Sequence, residues 1–256
     1  MKPYDRLLYW IEERHRVHNN RFPKGYKLPD PDLTGDPKRV SYDHVPGETP
    51  PPWTEDPILQ TVFFCNPYRE NDKVTAYLRD NFREENRDEI CVFLGTILLR
   101  WFNYIPTMQN LIAEGIPQGL GSSKKKDHSL LDDAQDLLAS IRDQGGQLFS
   151  AAYIIKLFNG MGKMEAIIQV MKELSTWWYD NPPVNLTMRE MHTYMRAIRG
   201  MGNFYIYQFI GDLAYTHVFP TKTTPDWWTW SFSGPGTSRS INRLEGRDRQ
   251  PNGKVW

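Results

Sequence analysis

The spacing of apolar residues predicts a chain built from α-helices. From Tyr4 to about Asn20 the apolar residues lie on one helical stripe, with arginine and glutamate elsewhere. Residues 88–103 are apolar nearly all round, which predicts a buried central helix. The one candidate strand is Val218–Lys222. Further helices are predicted over 54–64, 67–82, a short stretch ending near Glu114, 129–142, 147–158, 163–179, 187–198 and 204–217, with another beginning at Thr237 and Ser238.

Polar residues mark the starts of several of these helices. Thr54 and Asn66 are good N-caps, and Pro67 suits a first helical position. Ser129 with Asp132 resembles a capping box, and Thr187 with Glu190 has the full capping-box pattern. Between the first two helices, prolines break any regular element and predict an extended arm; they are Pro23, Pro29, Pro31, Pro37, Pro46, Pro50, Pro51 and Pro52. We therefore predict an all-α chain with an N-terminal helix and proline-rich arm over 1–52 and a helical domain over 53–250.

Composition narrows the functional classes. The chain has 256 residues, 39% of them hydrophobic, and its formal net charge is zero. We expect a soluble protein of a reducing cytoplasm, because there are only two cysteines, no signal-peptide core and no apolar run of membrane-spanning length. The cysteines and six histidines show no metal-ligand spacing, so we predict no catalytic metal, and no cofactor.

A first Gly-x-Gly turn, at Gly200 and Gly202, separates two predicted helices. Glycines allow close approach of a ligand, and backbone N–H groups at the start of the second helix, near Asn203, attract phosphate. An ordinary helix–helix turn that needs glycine at a helix end explains the same residues. The turn resembles the helix-hairpin-helix with which many DNA glycosylases hold a DNA phosphate.

Two acids follow this turn. In those glycosylases an essential aspartate lies about twenty residues beyond the hairpin, and Asp226 lies twenty-four beyond Gly202. Asp226 is our first candidate for a catalytic acid, and Asp212 is the second. The alternatives are an N-cap after Pro225 for Asp226, and an internal helix aspartate paired to an arginine for Asp212.

A second Gly-x-Gly, at Gly234 and Gly236, permits a tight turn ahead of a basic segment. Thr237 and Ser238 supply hydroxyls. Arg239 and Arg243 are spaced to share a helical face, and arginine suits bidentate phosphate recognition. The segment predicts a phosphate or pyrophosphate site; the alternative is a basic helix, including Arg247, that grips a DNA backbone without chemistry.

Longer runs carry a family resemblance. These are W-T-E-D-P-I-L-Q and F-C-N-P-Y-R-E-N-D near residues 53–72, together with R-G-M-G-N-F-Y and S-G-P-G-T-S-R-S-I-N-R. They resemble the phage thymine-hypermodification proteins, the alpha-glutamyl/putrescinyl thymine pyrophosphorylases or amino acid:DNA transferases. That family is similar to the helical domain associated with 5-hydroxymethyluracil DNA kinases. The resemblance covers roughly residues 50–250.

The resemblance implies a repurposed helix-hairpin-helix glycosylase fold and a transferase acting on phage DNA in an infected bacterial cytoplasm. The enzyme displaces pyrophosphate from 5-pyrophosphoryloxymethyluracil with the amine of an amino acid or polyamine. The base must leave the stack to react. Partners implied are DNA with modified thymine, the amine co-substrate and other phage modification enzymes. Base or amine recognition is assigned to Trp53, Asn66, Arg69, Asp72, Tyr153 and Lys156, each of which also has a plain structural explanation.

Two other functions remain open at this point. A DNA glycosylase acting on a modified pyrimidine would use the same hairpin and aspartate. A non-catalytic helical DNA-binding module would need neither acid. The sequence leaves open which amine is the co-substrate and whether the DNA substrate is duplex or single-stranded.

Overall fold

The computed structural model describes residues 2–25, 48–62, 67–121, 127–150, 155, 160–181, 186–218, 224–232 and 234–247. Every regular element in these ranges is helical. The predicted strand lies outside them except for Val218, which is not in a strand. The helices are α1 (Pro3–Arg21), α2 (Pro57–Thr61), α3 (Lys73–Leu78), α4 (Glu89–Phe102), α5 (Ile105–Ala113), α6 (Ile116–Gly119), α7 (Ser129–Asp143), α8 (Lys163–Asp180), α9 (Met188–Ala197), α10 (Asn203–Leu213) and α11 (Pro235–Leu244).

The chain divides into two compact units. Unit 1 comprises Met1–Ala76 and Ser233–Trp256, and unit 2 comprises Tyr77–Phe232. The predicted division into 1–52 and 53–250 is a different one and stays a prediction. None of the helices in the described ranges is long and apolar enough to cross a membrane.

In unit 1 the segment 53–60 is fixed to α1 by polar side chains. Thr54 donates to the carboxylate of Glu13, which is only 3% exposed. The Tyr9 hydroxyl donates to Asp56 at 2.9 Å. Asp56, and not Thr54 as predicted, caps α2 by accepting from the N–H groups of Ile58 and Leu59. The Thr54 hydroxyl donates to Glu13 and accepts from the Asp56 N–H at 3.0 Å, so it binds the residue just before the helix and not the N–H groups of α2 itself.

Unit 2 is built around α4, as the apolar run predicted. Every residue of α4 from Ile90 to Phe102 is buried. The helix contacts α5, α6, α8 and α10, and α9 packs against α10. Aromatic contacts join the layers: the rings of Phe93 and Trp178 lie 4.4 Å apart, and those of Trp101 and Tyr205 lie 4.1 Å apart.

Some local predictions were wrong. The predicted helix over 147–158 is absent from its described residues 147–150 and 155. Instead the Leu148 carbonyl accepts from Thr107, and the Ser150 N–H donates to the Phe102 carbonyl. Tertiary partners therefore satisfy these backbone groups without a helix. Ser129 does not cap α7, because it is the first residue of that helix; His128 is at the N-cap position and supplies no side-chain cap.

The predicted helix over 67–82 is broken up. It consists of a 3₁₀ turn at Arg69–Asn71, then α3, then a π-helical turn at Arg79–Arg83. Asp72 separates the first two pieces and caps α3 by accepting from the N–H and hydroxyl of Thr75, each at 3.0 Å. Asn66, the predicted cap, lies outside the described residues.

Candidate functional site

Several hydrogen bonds fix the turn at residues 199–202 between α9 and α10, and this turn with the start of α10 is called the hairpin below. Gly200 has φ = 92°, a backbone conformation that favours glycine, and the Met201 N–H donates to the Ile198 carbonyl at 3.2 Å. The Arg196 guanidinium donates to the Met201 carbonyl, also at 3.2 Å. Gly202 precedes α10 and supplies no side-chain cap. The first N–H groups of α10, beginning at Asn203, therefore form the kind of helix start that binds anions.

Asp226, in the segment 224–232, has its side chain against the start of α9. Its carboxylate accepts from the N–H of Met188 at 2.9 Å and from the N–H of Arg189 at 3.1 Å. The capping box of Thr187 and Glu190, predicted from sequence, is present at the same helix end. Asp226 is therefore a cap, but of a helix that begins 38 residues earlier in the chain. A carboxylate has about four acceptor positions, and the partly exposed Asp226 uses two of them on these N–H groups.

Asp212 is placed very differently. It is 0% exposed, and its two carboxylate oxygens accept from Arg100, at 2.5 Å from Nε and 2.9 Å from Nη2. Its backbone carbonyl accepts from Arg83 at 2.7 Å. Arg100 also donates to Asn103 at 3.0 Å. The alternative weighed from sequence, an internal aspartate paired to an arginine, describes these contacts.

The second glycine-rich segment forms the start of α11 in unit 1. The helix begins at Pro235, two residues earlier than predicted, with Gly234 as an N-cap that supplies no side chain. A side chain at Gly234 would meet nothing within 4 Å. Thr237 is exposed, whereas Ser238 is buried and its N–H donates to the Gly234 carbonyl. Gly236 belongs to the first helical turn.

The arginines of α11 are exposed. Arg239 and Arg243 are four residues apart on the helix, and neither makes an ion pair within the described ranges. Arg247, beyond the helix, lies 3.8 Å from Glu245. Arg239 lies in the N-terminal half of α11, whereas Arg243 lies in its last turn. Both cations add positive charge to the exposed side of the helix, and Arg239 is the one nearer the N–H groups of the first turn.

The residues assigned to base or amine recognition are only partly described. Trp53 packs within the arm: its ring N–H donates to the Thr49 carbonyl at 2.8 Å, and the Arg21 guanidinium lies 4.8 Å from the ring centroid. Arg69 begins the 3₁₀ turn and Asp72 caps α3. Asn66, Tyr153 and Lys156 lie outside the described residues. The described members of this set and α11 belong to unit 1, while both candidate acids and the hairpin belong to unit 2.

Sequence reasoning missed His192. Predicted to lie on the helix surface, it is half-buried, with ring centroids 5.7 Å from Trp230 and 5.5 Å from Phe232. Burial lowers the pKa of His192, nearby Arg196 lowers it further, and a side-chain hydrogen bond with Asn203 opposes the shift. The signal was its helical spacing from the buried Met188 and Met195.

His192 links the hairpin to the segment 224–232, because its ring touches both Asn203 and the aromatic residues of that segment. Asp226 makes a second link, from the same segment to the start of α9. Within the described residues, no group of three or more histidine, cysteine, aspartate or glutamate side chains is arranged to hold a metal ion.

Residues 38–255 match the family described as "5-hmdU DNA kinase, helical domain". The chain belongs to that family. It is also 24% identical over 211 residues to a 5-hmdU DNA kinase of Bacillus phage SP10, an alignment that covers 74% of this chain and 31% of the relative. The chain thus spans about a third of the length of that relative. No solved structure matches it.

Proposed function

We propose that the protein acts in thymine hypermodification of phage DNA, as a transferase that replaces pyrophosphate with an amine. The observation that carries the proposal is the helical-domain family match, which includes the basic α11. The relative is named for a kinase that acts on 5-hmdU DNA. We extend to this chain a DNA substrate with a modified thymine position. We assign the chain a later step, amine transfer, because its sequence resembles the amino acid:DNA transferases.

The proposed reaction forms one bond and breaks one. The lone pair of an uncharged amine attacks the 5-methylene carbon of 5-pyrophosphoryloxymethyluracil, and a carbon–nitrogen bond forms. The bond from that carbon to the pyrophosphate oxygen breaks, and pyrophosphate leaves with the electron pair. The nitrogen then loses a proton to a carboxylate and from there to solvent. The base stays attached to its sugar throughout.

The arrangement of α11 supports a role in holding the leaving pyrophosphate. Its first turn offers N–H groups without a side-chain cap, and Arg239 and Arg243 are exposed cations on the same helix. Donors and cations of this kind stabilise negative charge as it develops on a leaving group. Thr237, which is exposed, adds a hydroxyl, while the buried Ser238 contributes its position in the turn.

The hairpin is proposed to hold the DNA backbone. Gly200 and Gly202 keep side chains away from the turn, and the start of α10 at Asn203 offers N–H groups to a phosphate. Arg247 is proposed as a further backbone contact, because its exposed guanidinium has only the 3.8 Å approach of Glu245 among the described residues.

Of the two acids, Asp226 is the better candidate to accept the proton. It is partly exposed and keeps acceptor positions beyond those used by α9. Asp212 is fully buried and both of its oxygens are engaged by Arg100, so we assign it a positioning role through that arginine. Amine and base recognition remain proposed for Trp53, Asn66, Arg69, Asp72, Tyr153 and Lys156.

The test is incubation of DNA containing 5-pyrophosphoryloxymethyluracil with amino acids and polyamines, followed by nucleoside mass spectrometry and measurement of released pyrophosphate. We expect one class of amine to appear on the base. Arg239→Ala and Arg243→Ala should each lower the rate by up to about 100- to 1000-fold, the range for loss of one transition-state donor. Arg6→Ala, an exposed arginine of α1, is the matched control and should leave the rate unchanged.

A substitution of Asp226 also removes its hydrogen bonds to the start of α9, so the experiment needs a control variant for that loss. Asp226→Asn should abolish most of the transfer, while Thr187→Ala removes a cap of the same helix without altering Asp226. Equal losses in the two variants would assign Asp226 to capping alone. Abasic sites in the product DNA would replace the transferase with a glycosylase, and DNA binding without any product would leave a binding module.

A further inference from the structure

Trp228 is the most exposed large hydrophobic side chain of the described residues, at 91%. Its neighbours along the chain behave differently. Trp227 packs edge-on against Tyr215, with ring centroids 6.3 Å apart. Trp230 packs on His192. Among the described residues, the only ring contact of Trp228 is a T-shaped one with Trp227, with centroids 6.3 Å apart. Its exposure of 91% leaves most of the ring open to solvent.

The backbone that carries Trp228 is fixed on both sides. The N–H of Trp227 donates to the Thr224 carbonyl, and the N–H groups of Thr229 and Trp230 both donate to the carbonyl of Asp226. The Asp226 carboxylate ties the same turn to the start of α9. A side chain on so constrained a turn loses little additional freedom when a ligand stacks on it.

The charge around this turn favours a nucleic acid as the ligand. In the described stretch 186–203, which forms α9 and the hairpin, the charged residues are three arginines and one glutamate. The arginines Arg189, Arg196 and Arg199 are all exposed, and the glutamate is engaged by Thr187. Arg189 is the arginine shown to adjoin this turn, because its N–H donates to the Asp226 carboxylate. An open aromatic ring near an exposed cation, on a basic helix, matches a polymer that combines stacked bases with phosphates.

We propose that Trp228 stacks on a base of the bound DNA and fills the gap left when the target nucleotide leaves the helix. An aromatic or apolar wedge of this kind offsets part of the cost of unstacking. The inference rests on the proposed function only in taking DNA as the substrate. It adds a DNA-contacting residue, which needs no part in the transfer chemistry.

The test compares Trp228→Ala, Trp228→Phe and the control Trp10→Ala. Trp10 is an exposed tryptophan of α1 that carries the Arg14 guanidinium 4.7 Å from its ring. The probe is a DNA duplex with 5-hydroxymethyluracil next to 2-aminopurine, whose fluorescence rises when stacking is lost. Affinity is measured by anisotropy of a labelled copy, and thermal melting of each variant confirms its fold.

We expect Trp228→Ala to bind about 5- to 150-fold more weakly, the range for loss of one stacked base, and to abolish the wild-type 2-aminopurine response. Trp228→Phe should keep most of both signals, and Trp10→Ala should match wild type. The melting temperature of Trp228→Ala should not change, because the side chain is exposed.

Wild-type binding and fluorescence in Trp228→Ala would overturn the inference, as would an equal loss in Trp10→Ala or failure of the wild-type protein to bind the duplex. The readout does not depend on amine transfer. A Trp228 effect without any transferred amine would remove the proposed transferase and keep the stacking role. Amine transfer by the wild-type protein, together with unchanged binding and fluorescence in Trp228→Ala, would keep the proposed transferase and remove the stacking role.

Discussion

The buried pair of Arg100 and Asp212 gives the sharpest prediction about stability. The two side chains are 1% and 0% exposed, and two hydrogen bonds join them. In Asp212→Asn one oxygen can still accept, but the amide NH₂ faces a guanidinium that has only donors. The buried charge of Arg100 therefore loses the Asp212 carboxylate as its counter-charge in unit 2. Removing one partner of such a pair costs about 3–5 kcal/mol.

That cost corresponds to a large thermal shift. For domains of about 150–250 residues, each kcal/mol changes the melting temperature by about 2–4 °C. Asp212→Asn should therefore melt about 6–20 °C below wild type when followed by circular dichroism at 222 nm. Asp136→Asn, at an exposed position of α7, is the matched control and should stay within about 0.5 kcal/mol of wild type.

The double variant Arg100→Met/Asp212→Leu separates structure from chemistry. Replacing both charges by apolar side chains of similar size is often neutral for stability, so this variant should recover most of the lost melting temperature. Its recovered fold then permits an activity measurement. A melting temperature of Asp212→Asn within about 2 °C of wild type would refute the reasoning. Loss of transfer in a stable double variant would show that the Arg100–Asp212 pair acts in the reaction as well as in the fold.

Two further predictions concern the hairpin and its histidine. Gly200→Ala should destabilise the protein by about 1–2 kcal/mol, the cost of a left-handed residue with a side chain, and weaken DNA binding, because φ is 92°. Gly202→Ala should melt like wild type, since φ is −93° and its new side chain meets nothing within 4 Å. The lowered pKa of His192 keeps it neutral in the fold while the unfolded chain takes up a proton. Its contribution to stability is therefore present above about pH 6.5 and lost as the pH falls below that value. Between pH 7 and 5, His192→Phe should lose less stability than wild type when denaturation is measured, and an unchanged dependence of stability on pH would contradict this. The pKa of His18 is also lowered by burial, so His18 should add to the loss in wild type, and His18→Phe should remove that part of it.

Local patterns predicted the helices well where the pattern was long or the cap was complete. The continuous apolar run of α4 and the capping box at Thr187 and Glu190 are both present. Local patterns failed where a polar side chain found a distant partner. Thr54 hydrogen-bonds to Glu13, 41 residues away, and the cap of α2 is Asp56, two residues later than predicted. The stretch after Gln147 bonds to α4 and α5 instead of coiling into a helix.

The candidate site was predictable as residue types but not as contacts. The glycine turns and both arginines of α11 follow from short motifs. The roles of the two aspartates depend on pairs that are far apart in the chain: Asp212 with Arg100 across 112 residues, and Asp226 with Met188 across 38. Spacing along the sequence carries no information about such pairs, and Trp228 is exposed only because of how the turn around it folds.

The two acids show why exposure separates candidate chemistry from structure better than residue type does. Both aspartates satisfy buried or terminal donors, so substitution of either one should destabilise the fold, and a loss of transfer by itself would not assign either acid to the chemistry. Only Asp226 combines a structural contact with access to solvent, so only there can a carboxylate both hold an element in place and exchange a proton with a ligand. The same segment carries Trp228 and is tied to the hairpin through His192. An aspartate that fixes this segment would therefore couple the position of the acid to the surface proposed to hold the DNA.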